Sequence, residues 1–439
     1  MQKKKVNVIG AGLAGCECAY QLAKRGVPVR LYEMKPGKKS PAHVSDLFAE
    51  LVCSNSLRSD RICNAAGLLK EEMRLLESLI MQAADATSVA AGGALAVDRE
   101  KFSAYITQAI REHGLIELLS EEVTDFSKFK EEMVIVASGP LTSQALSEAI
   151  KELTGQERLH FFDAAAPIVS ASSIDMDSAF FASRYGRGSD YINCPMTREE
   201  YEEFYQALVT ADCAELREFE HDGVFEGCMP VETMASRGHD TLLFGPLKPK
   251  GLTDPKTGRE PFAVVQLRRE NDVGSMYNIV GFQTHLKFPE QRRVFGLIPA
   301  LKDAEYLRFG IMHRNTFLNS PRLLDRYYRL EKNPLIRFVG QITGVEGYVE
   351  STSSGLLGGI FAACEYLGKP LPDFDDETAS GALCRYISGA VTGNFQPMNI
   401  NFGIMRPLGQ RIRNKEEKKT RIAERALEKL KTTIHHFGL

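Results

Sequence analysis

Val6-Asn7-Val8-Ile9-Gly10-Ala11-Gly12-Leu13-Ala14-Gly15 decides the fold. Four apolar-rich residues read as a short strand. The G-x-G-x-x-G that follows reads as the turn into a helix from about Leu13 to Lys24, ended near Gly26. Val27 to Glu33 reads as a second strand. Each glycine has a separate reason. Gly10 permits the tight turn. Gly12 leaves room for a pyrophosphate at the helix N-terminus, with Ala11, Leu13 and Ala14 completing the loop. Gly15 lets the helix pack onto the strand. Glu33, ending the second strand, is placed to accept both ribose hydroxyls and would repel a 2′-phosphate. The unit therefore predicts a dinucleotide site suited to FAD or NAD rather than NADP.

Two later segments favour FAD. Met133-Val134-Ile135-Val136-Ala137-Ser138-Gly139-Pro140 reads as a buried strand ending in a small-residue turn at Gly139. Arg337 to Gly344 reads as another strand and turn through Gly340. Gly347 and Tyr348 follow, and Ser354-Gly355-Leu356-Leu357-Gly358-Gly359 reads as a glycine-rich helix start. Flavoproteins of the glutathione-reductase type return late in the chain in this way. No second G-x-G-x-x-G occurs, and no C-x₄-C, so any NAD(P)H would visit transiently as a reductant. The expected fold is α/β: a Rossmann-like FAD-binding domain with an inserted α+β substrate domain. The expected boundaries are 1–165 for the first part, 166–329 for the insertion and 330–439 for the second part with a basic C-terminal helix. Thr197 and Glu200 form a capping-box pattern. Val224 to Leu301 reads as strands and turns.

Composition narrows the class. The 439 residues are 44% hydrophobic and 25% charged, which excludes disorder and collagen. No apolar run approaches the ~20 residues that span a bilayer, and the start lacks a signal-peptide core, so a cytoplasmic protein without membrane contact is expected. Nine cysteines without a C-x-x-C suggest free thiols, mostly core filler, and offer no zinc motif. The net charge of −3 gives no global case for nucleic acid, but the local balance differs. Arg237 to Arg293 holds ten Lys+Arg against six Asp+Glu, and Arg406 to Lys431 holds ten against four. Lys415 to Lys431 reads as a helix with Ile422, Ala426 and Leu430 on one face. Two basic stretches favour a polyanionic partner.

Longer motifs carry a resemblance. VNVIGAGLAGCECAY, ELVCSNSLRSD around Cys53, FEGCMPVETMASRG around Cys228, TLLFGPLKPKGL, YNIVGFQTHLKFPEQRRVF around His285 and FVGQITGVEGYVES span nearly the whole chain. In these the sequence resembles the folate- and FAD-dependent tRNA (uracil-5-)-methyltransferases, the TrmFO family, with no motif departure. A related flavoprotein that modifies the wobble uridine with a GTPase shares the late GQI-G-GY pattern. It is longer, with a C-terminal helical domain for its partner, and no obligate protein partner is expected here.

The resemblance implies C5-methylation of the T-loop uridine, position 54 of tRNA. The carbon would come from 5,10-methylenetetrahydrofolate, and the electrons from NAD(P)H through FAD (an FADH2-oxidising reaction). Uracil C5 is a weak nucleophile until a thiolate adds at C6. Cys228, between Gly227 and Met229-Pro230, is the expected nucleophile. Cys53 is the second thiol, as base or alternative nucleophile. The resemblance gives His285 a pterin-stacking role. Lys248, Lys250, Arg268, Arg269, Arg292 and Arg293 are candidates for RNA phosphate contact. Two other readings stand beside this one: a flavin-dependent NAD(P)H oxidoreductase of a small molecule, and a non-catalytic RNA-binding flavoprotein.

Overall fold

A computed structural model describes residues 4–40, 42–155, 159–214, 229–389, 395–410 and 412–439. Cys228 lies outside them. The opening strand is Val6–Ile9 and the helix after the glycine turn is Leu13–Lys24. Val8 and Ile9 pair in parallel with Leu31 and Tyr32 on one side and with Ile135 and Val136 on the other. The full sheet runs 329–330, 333–338, 134–136, 6–9, 29–33, 116–120, parallel except for the 329–338 hairpin. All four residues of Val6–Ile9 are buried, as a strand covered on both faces must be.

The late helix spans Tyr348–Tyr366 and lies across Leu13–Lys24. Its glycine-rich stretch is mid-helix, which corrects the expected helix start at Ser354. A Cβ on Gly355 would lie 2.2 Å from the Ala14 carbonyl oxygen, and one on Gly359 would lie 2.8 Å from that of Cys18. These glycines let two helix backbones touch. The helix start itself is Gly347–Tyr348.

A second sheet, wholly antiparallel, runs 180–181, 191–196, 263–269, 276–279, 168–170, 306–308. It has its own core, including Ile192, Phe204, Leu267, Phe282 and Phe295. Thr197 and Glu200 form the reciprocal capping box that starts helix Arg198–Val209. Strands are sparser here than expected. Val231–Ser236, Thr241–Phe244 and Phe288–Phe295 are helical, and Pro289 in the first turn of the last favours that start. A two-stranded ribbon, Leu159–Ala164 with Met312–Phe317, leads into and out of this unit. A small sheet of Ser56–Ser59, Ala94–Val97 and Ser88–Val89 supports the Cys53 loop. Helix Lys415–Phe437 buries Ile422, Ala423, Ala426 and Leu430, running six residues beyond its expected end. Among the described residues no helix is long and apolar enough to cross a membrane.

Candidate active site

The carboxyl ends of the parallel strands open into a cleft lined by Ile9 to Ala14, Tyr32, Glu33, Ala137 to Ser143 and Gly340. This is where doubly wound sheets take dinucleotides. Gly10 has φ +100°, and a Cβ there would sit 2.7 Å from the Ala137 carbonyl oxygen. A Cβ on Gly15 would sit 1.8 Å from the Gly10 carbonyl oxygen. Gly12 differs: a Cβ there meets nothing within 4 Å. No side chain caps the helix that Gly12 begins, so its first N–H groups face the cleft. One Glu33 oxygen accepts the Ala11 N–H at 2.8 Å and the other the Lys35 N–H at 3.0 Å. Each keeps a lone pair for a hydroxyl. The residues fit an adenine dinucleotide: an open floor at Gly12, donors at the helix start and an acid at the second strand's end.

A second cleft adjoins it, and the two share Val52, Pro140, Leu141, Gln341 and Tyr348 as lining residues. Cys53, Ser54, Arg58, Gln283, Asn315, Gly347 and Asn399 lie on the second alone. Cys53 is therefore beside the first cleft, not inside it.

The Cys53 loop is held by several neighbouring elements. The Cys53 N–H donates to the Tyr348 hydroxyl at 2.7 Å. Arg99 donates to the Cys53 carbonyl at 3.1 Å and also to that of Leu51, and Arg308 reaches the carbonyls of Val52 and Cys53. Asn55 donates to the Val97 and Arg269 carbonyls, both at 3.0 Å. Lys70, fully buried, donates to the carbonyls of Leu57, Arg58 and Ser59 at 2.9, 3.1 and 2.8 Å. Burial works against the charge on Arg99, and the buried Glu270 reverses that. Burial pushes Arg308 down, opposed by Cys53 and Glu270 among others. Deeper in the wall, Arg58 pairs with buried Glu350, whose Oε1 also accepts the Ile400 N–H at 2.8 Å.

The remaining sequence candidates separate. Gly139, Gly340 and Tyr348 line the first cleft, and Gly347 lines the second with Tyr348. Lys248, Lys250, Arg292 and Arg293 are exposed, and Arg269 is half-buried. Arg268 is 7% exposed, donates to Asn55 Oδ1 at 3.0 Å and Ser54 Oγ at 2.7 Å, and also lines the second cleft, so it braces the thiol loop from the cleft wall. His285 is not among the residues that line either cleft. Gly281 and Gln283 line the second cleft, but the His285 side chain is 12% exposed, with Nδ1 2.5 Å from Glu232 Oε1. Burial alone disfavours its proton, but Cys213 and Glu232 reverse this and push it up to about 10. Ligand atoms of Cys213, Glu232 and His285 lie within 4.8 Å of one another, a grouping no spacing motif announces. Sequence reasoning also missed Arg99, Arg308, Lys70 and the Arg58–Glu350 pair. Ser-Leu-Arg after Cys-Ser-Asn was the one local hint of a charged loop.

The family model described as glucose inhibited division protein A matches residues 5–370. A methylenetetrahydrofolate–tRNA-(uracil-5-)-methyltransferase TrmFO from Acetivibrio thermocellus is 61% identical over 434 residues, covering 99% of each chain. One from Listeria monocytogenes serotype 4b is 57% identical over 430 residues, 98% of each. Among solved structures, GidA of Aquifex aeolicus (form II crystal) aligns with a TM-score of 0.71 at 14% identity. That alignment covers 98% of this chain and 73% of that one, a likeness of fold. With near-complete coverage at such identity, the chain belongs to the TrmFO family, within the broader GidA group.

Proposed function

We propose that this protein is a cytoplasmic enzyme that methylates C5 of a uracil in tRNA, at the T-loop uridine. The carbon is taken from 5,10-methylenetetrahydrofolate, and NAD(P)H is the visiting reductant. The observation that carries this is the junction of the two clefts. A dinucleotide cradle and a thiol held among guanidinium groups share the wall of Val52, Pro140, Leu141, Gln341 and Tyr348. The names of the 57–61% identical relatives support the same reading.

Residues 10–15, Glu33, Gly139, Gly340 and Tyr348 would hold FAD. When bound and reduced it supplies the two electrons that separate a methylene from a methyl group. The chain's own residues do the rest. Cys228 adds its sulfur to uracil C6, which raises the electron density at C5 so that the folate carbon joins there. A base then removes the C5 proton, and Cys53 fills that role. Arg99 and Arg308 hold its backbone and so fix the sulfur that accepts the proton. Release of the Cys228 sulfur restores the ring. Residues 166–329 form the part that meets RNA. Undermodified tRNA, labelled methylenetetrahydrofolate and NAD(P)H should together yield labelled 5-methyluridine. Absence of that product with flavin-loaded protein overturns the proposal.

A further inference from the structure

An aromatic column stands on the inserted sheet, outside both clefts. Phe288, at the start of helix Phe288–Phe295, is 48% exposed. Its ring lies 4.6 Å from that of Phe309 with 15° between the planes. Phe309 in turn lies 5.1 Å from Tyr306 at 6°. Rings in the same unit's core meet at steeper angles, such as Phe282 on Phe295 at 76° and Tyr201 on His239 at 89°. Three near-parallel rings form a stack that one more flat π-surface extends at its open end. The Tyr306 end is anchored, because its hydroxyl donates to the Gln291 carbonyl at 3.3 Å. The open end is Phe288.

The charge around it selects the ligand. Arg292 lies 4.8 Å from the Phe309 centroid and, among the described residues, has no carboxylate within ion-pairing reach. Arg293 is matched by Glu290, and Lys287 lies 3.6 Å from Asp212. The position is also informative. Phe309 follows Arg308, the residue that grips the Val52 and Cys53 carbonyls. The column is thus continuous in sequence with the support of the thiol loop.

We infer that Phe288 is the exposed end of a base-stacking platform. It receives an unstacked base from a single-stranded RNA loop, and Arg292 meets an adjoining phosphate. This rests on the proposed RNA function and names the surface that serves it. Chemistry on a base requires that base to leave its stack, and its displaced neighbours then need a flat partner. A guanidinium beside parallel rings suits a nucleobase and its phosphate. An apolar protein partner would require a wider uncharged patch.

The chain contains no tryptophan, so Phe288→Trp introduces a single indole at the open end. Undermodified tRNA and its T-arm hairpin should quench that indole, while heparin and fully paired RNA should not. Phe288→Ala should bind tRNA roughly 5- to 100-fold more weakly, with flavin content and unfolding midpoint unchanged. Phe288→Tyr should bind like wild type. Arg292→Ala should weaken binding and reduce the salt slope by about one. The platform is overturned if labelled tRNA binds by anisotropy while the indole stays unquenched, or if Phe288→Ala binds as tightly as wild type. If that happens while wild type still methylates tRNA, the platform alone fails. If wild type neither binds nor methylates tRNA, the proposed function fails and the platform with it.

Discussion

Gly12→Ala and Gly15→Ala add the same methyl group three residues apart, yet they should produce opposite defects. Gly12 has φ −76° and ψ −170°, a backbone alanine adopts without strain, and its added Cβ meets nothing within 4 Å. The apoprotein should therefore be as stable as wild type, or about 0.4–1 kcal/mol more so, because the unfolded chain loses freedom. The methyl occupies the floor where a pyrophosphate must approach backbone donors. Each charge-assisted bond is worth about 1.5–3 kcal/mol. Losing two amounts to roughly 3–6 kcal/mol, an approximately 150- to 20,000-fold weaker flavin. In Gly15→Ala the new carbon would lie 1.8 Å from the Gly10 carbonyl oxygen, so helix and turn must separate. Overpacking of this kind costs about 1–3 kcal/mol or more. The assays are urea unfolding of flavin-stripped protein and flavin titration by absorbance. A Gly12→Ala protein that binds flavin like wild type would refute the cradle. One that unfolds as readily as Gly15→Ala would refute the open floor.

Other outcomes follow from the thiol loop and the core. Arg308→Lys should keep full flavin occupancy but slow methylation by roughly 10- to 100-fold, because both carbonyls share one nitrogen of the rigid guanidinium, Nη2, and the flexible lysine stem does not fix its ammonium at that place; turnover under saturating substrates reads this. Lys70→Met leaves one buried and two partly buried carbonyls without their shared donor and should cost about 2–3 kcal/mol in urea unfolding. Burial pushes the Glu72 carboxyl from 4.5 up to about 7. Its proton is held more tightly in the folded state, so its contribution to stability is complete below pH 4.5 and is lost as pH rises through about 7. At about 1.4 kcal/mol per pH unit the loss is on the order of 3 kcal/mol, and Glu72→Gln should flatten that slope. With 5-fluorouracil in the target position, no C5 proton can leave, so protein and RNA should remain joined through sulfur. Cys228→Ala should abolish both turnover and the adduct, whereas Cys53→Ala should abolish turnover alone. The reverse pattern, read by mass spectrometry, exchanges the two roles.

What could be read from sequence followed local rules. The first 33 residues were legible because each glycine answers one steric demand, and helix Leu13–Lys24 begins and ends where those demands place it. The same attention to glycine misled further on. Gly355 and Gly359 serve a helix crossing, and nothing within residues 354–359 reveals that Ala14 and Cys18 lie opposite. Arg268 and Arg269 looked equivalent as a basic pair. In strand Ala263–Arg269 neighbouring side chains point to opposite faces, so one of them was bound to turn inward, and Arg268 does so onto Asn55. Arg99 and Arg308 reach the Cys53 carbonyl from 46 and 255 residues away, separations that carry no pattern. His285 was singled out as a flat ring for stacking, whereas its partners Cys213 and Glu232 come from other elements and no spacing announces them.

The crossing of Leu13–Lys24 with Tyr348–Tyr366 has a consequence for the protein's synthesis. The glycine turn is complete in the first 33 residues, but Gly340, Tyr348 and Ser351 of its cleft arrive more than 300 residues later. At roughly 5–20 residues per second, the opening strand and helix wait on the order of 15–70 s for the segment that closes over them. The inserted sheet has a separate core and can pack in the interval. Flavin therefore cannot guide the early steps of folding, because a nascent chain gains a complete binding site only near the end of translation. A chain truncated before Tyr348 keeps the whole fingerprint and should fail to retain cofactor.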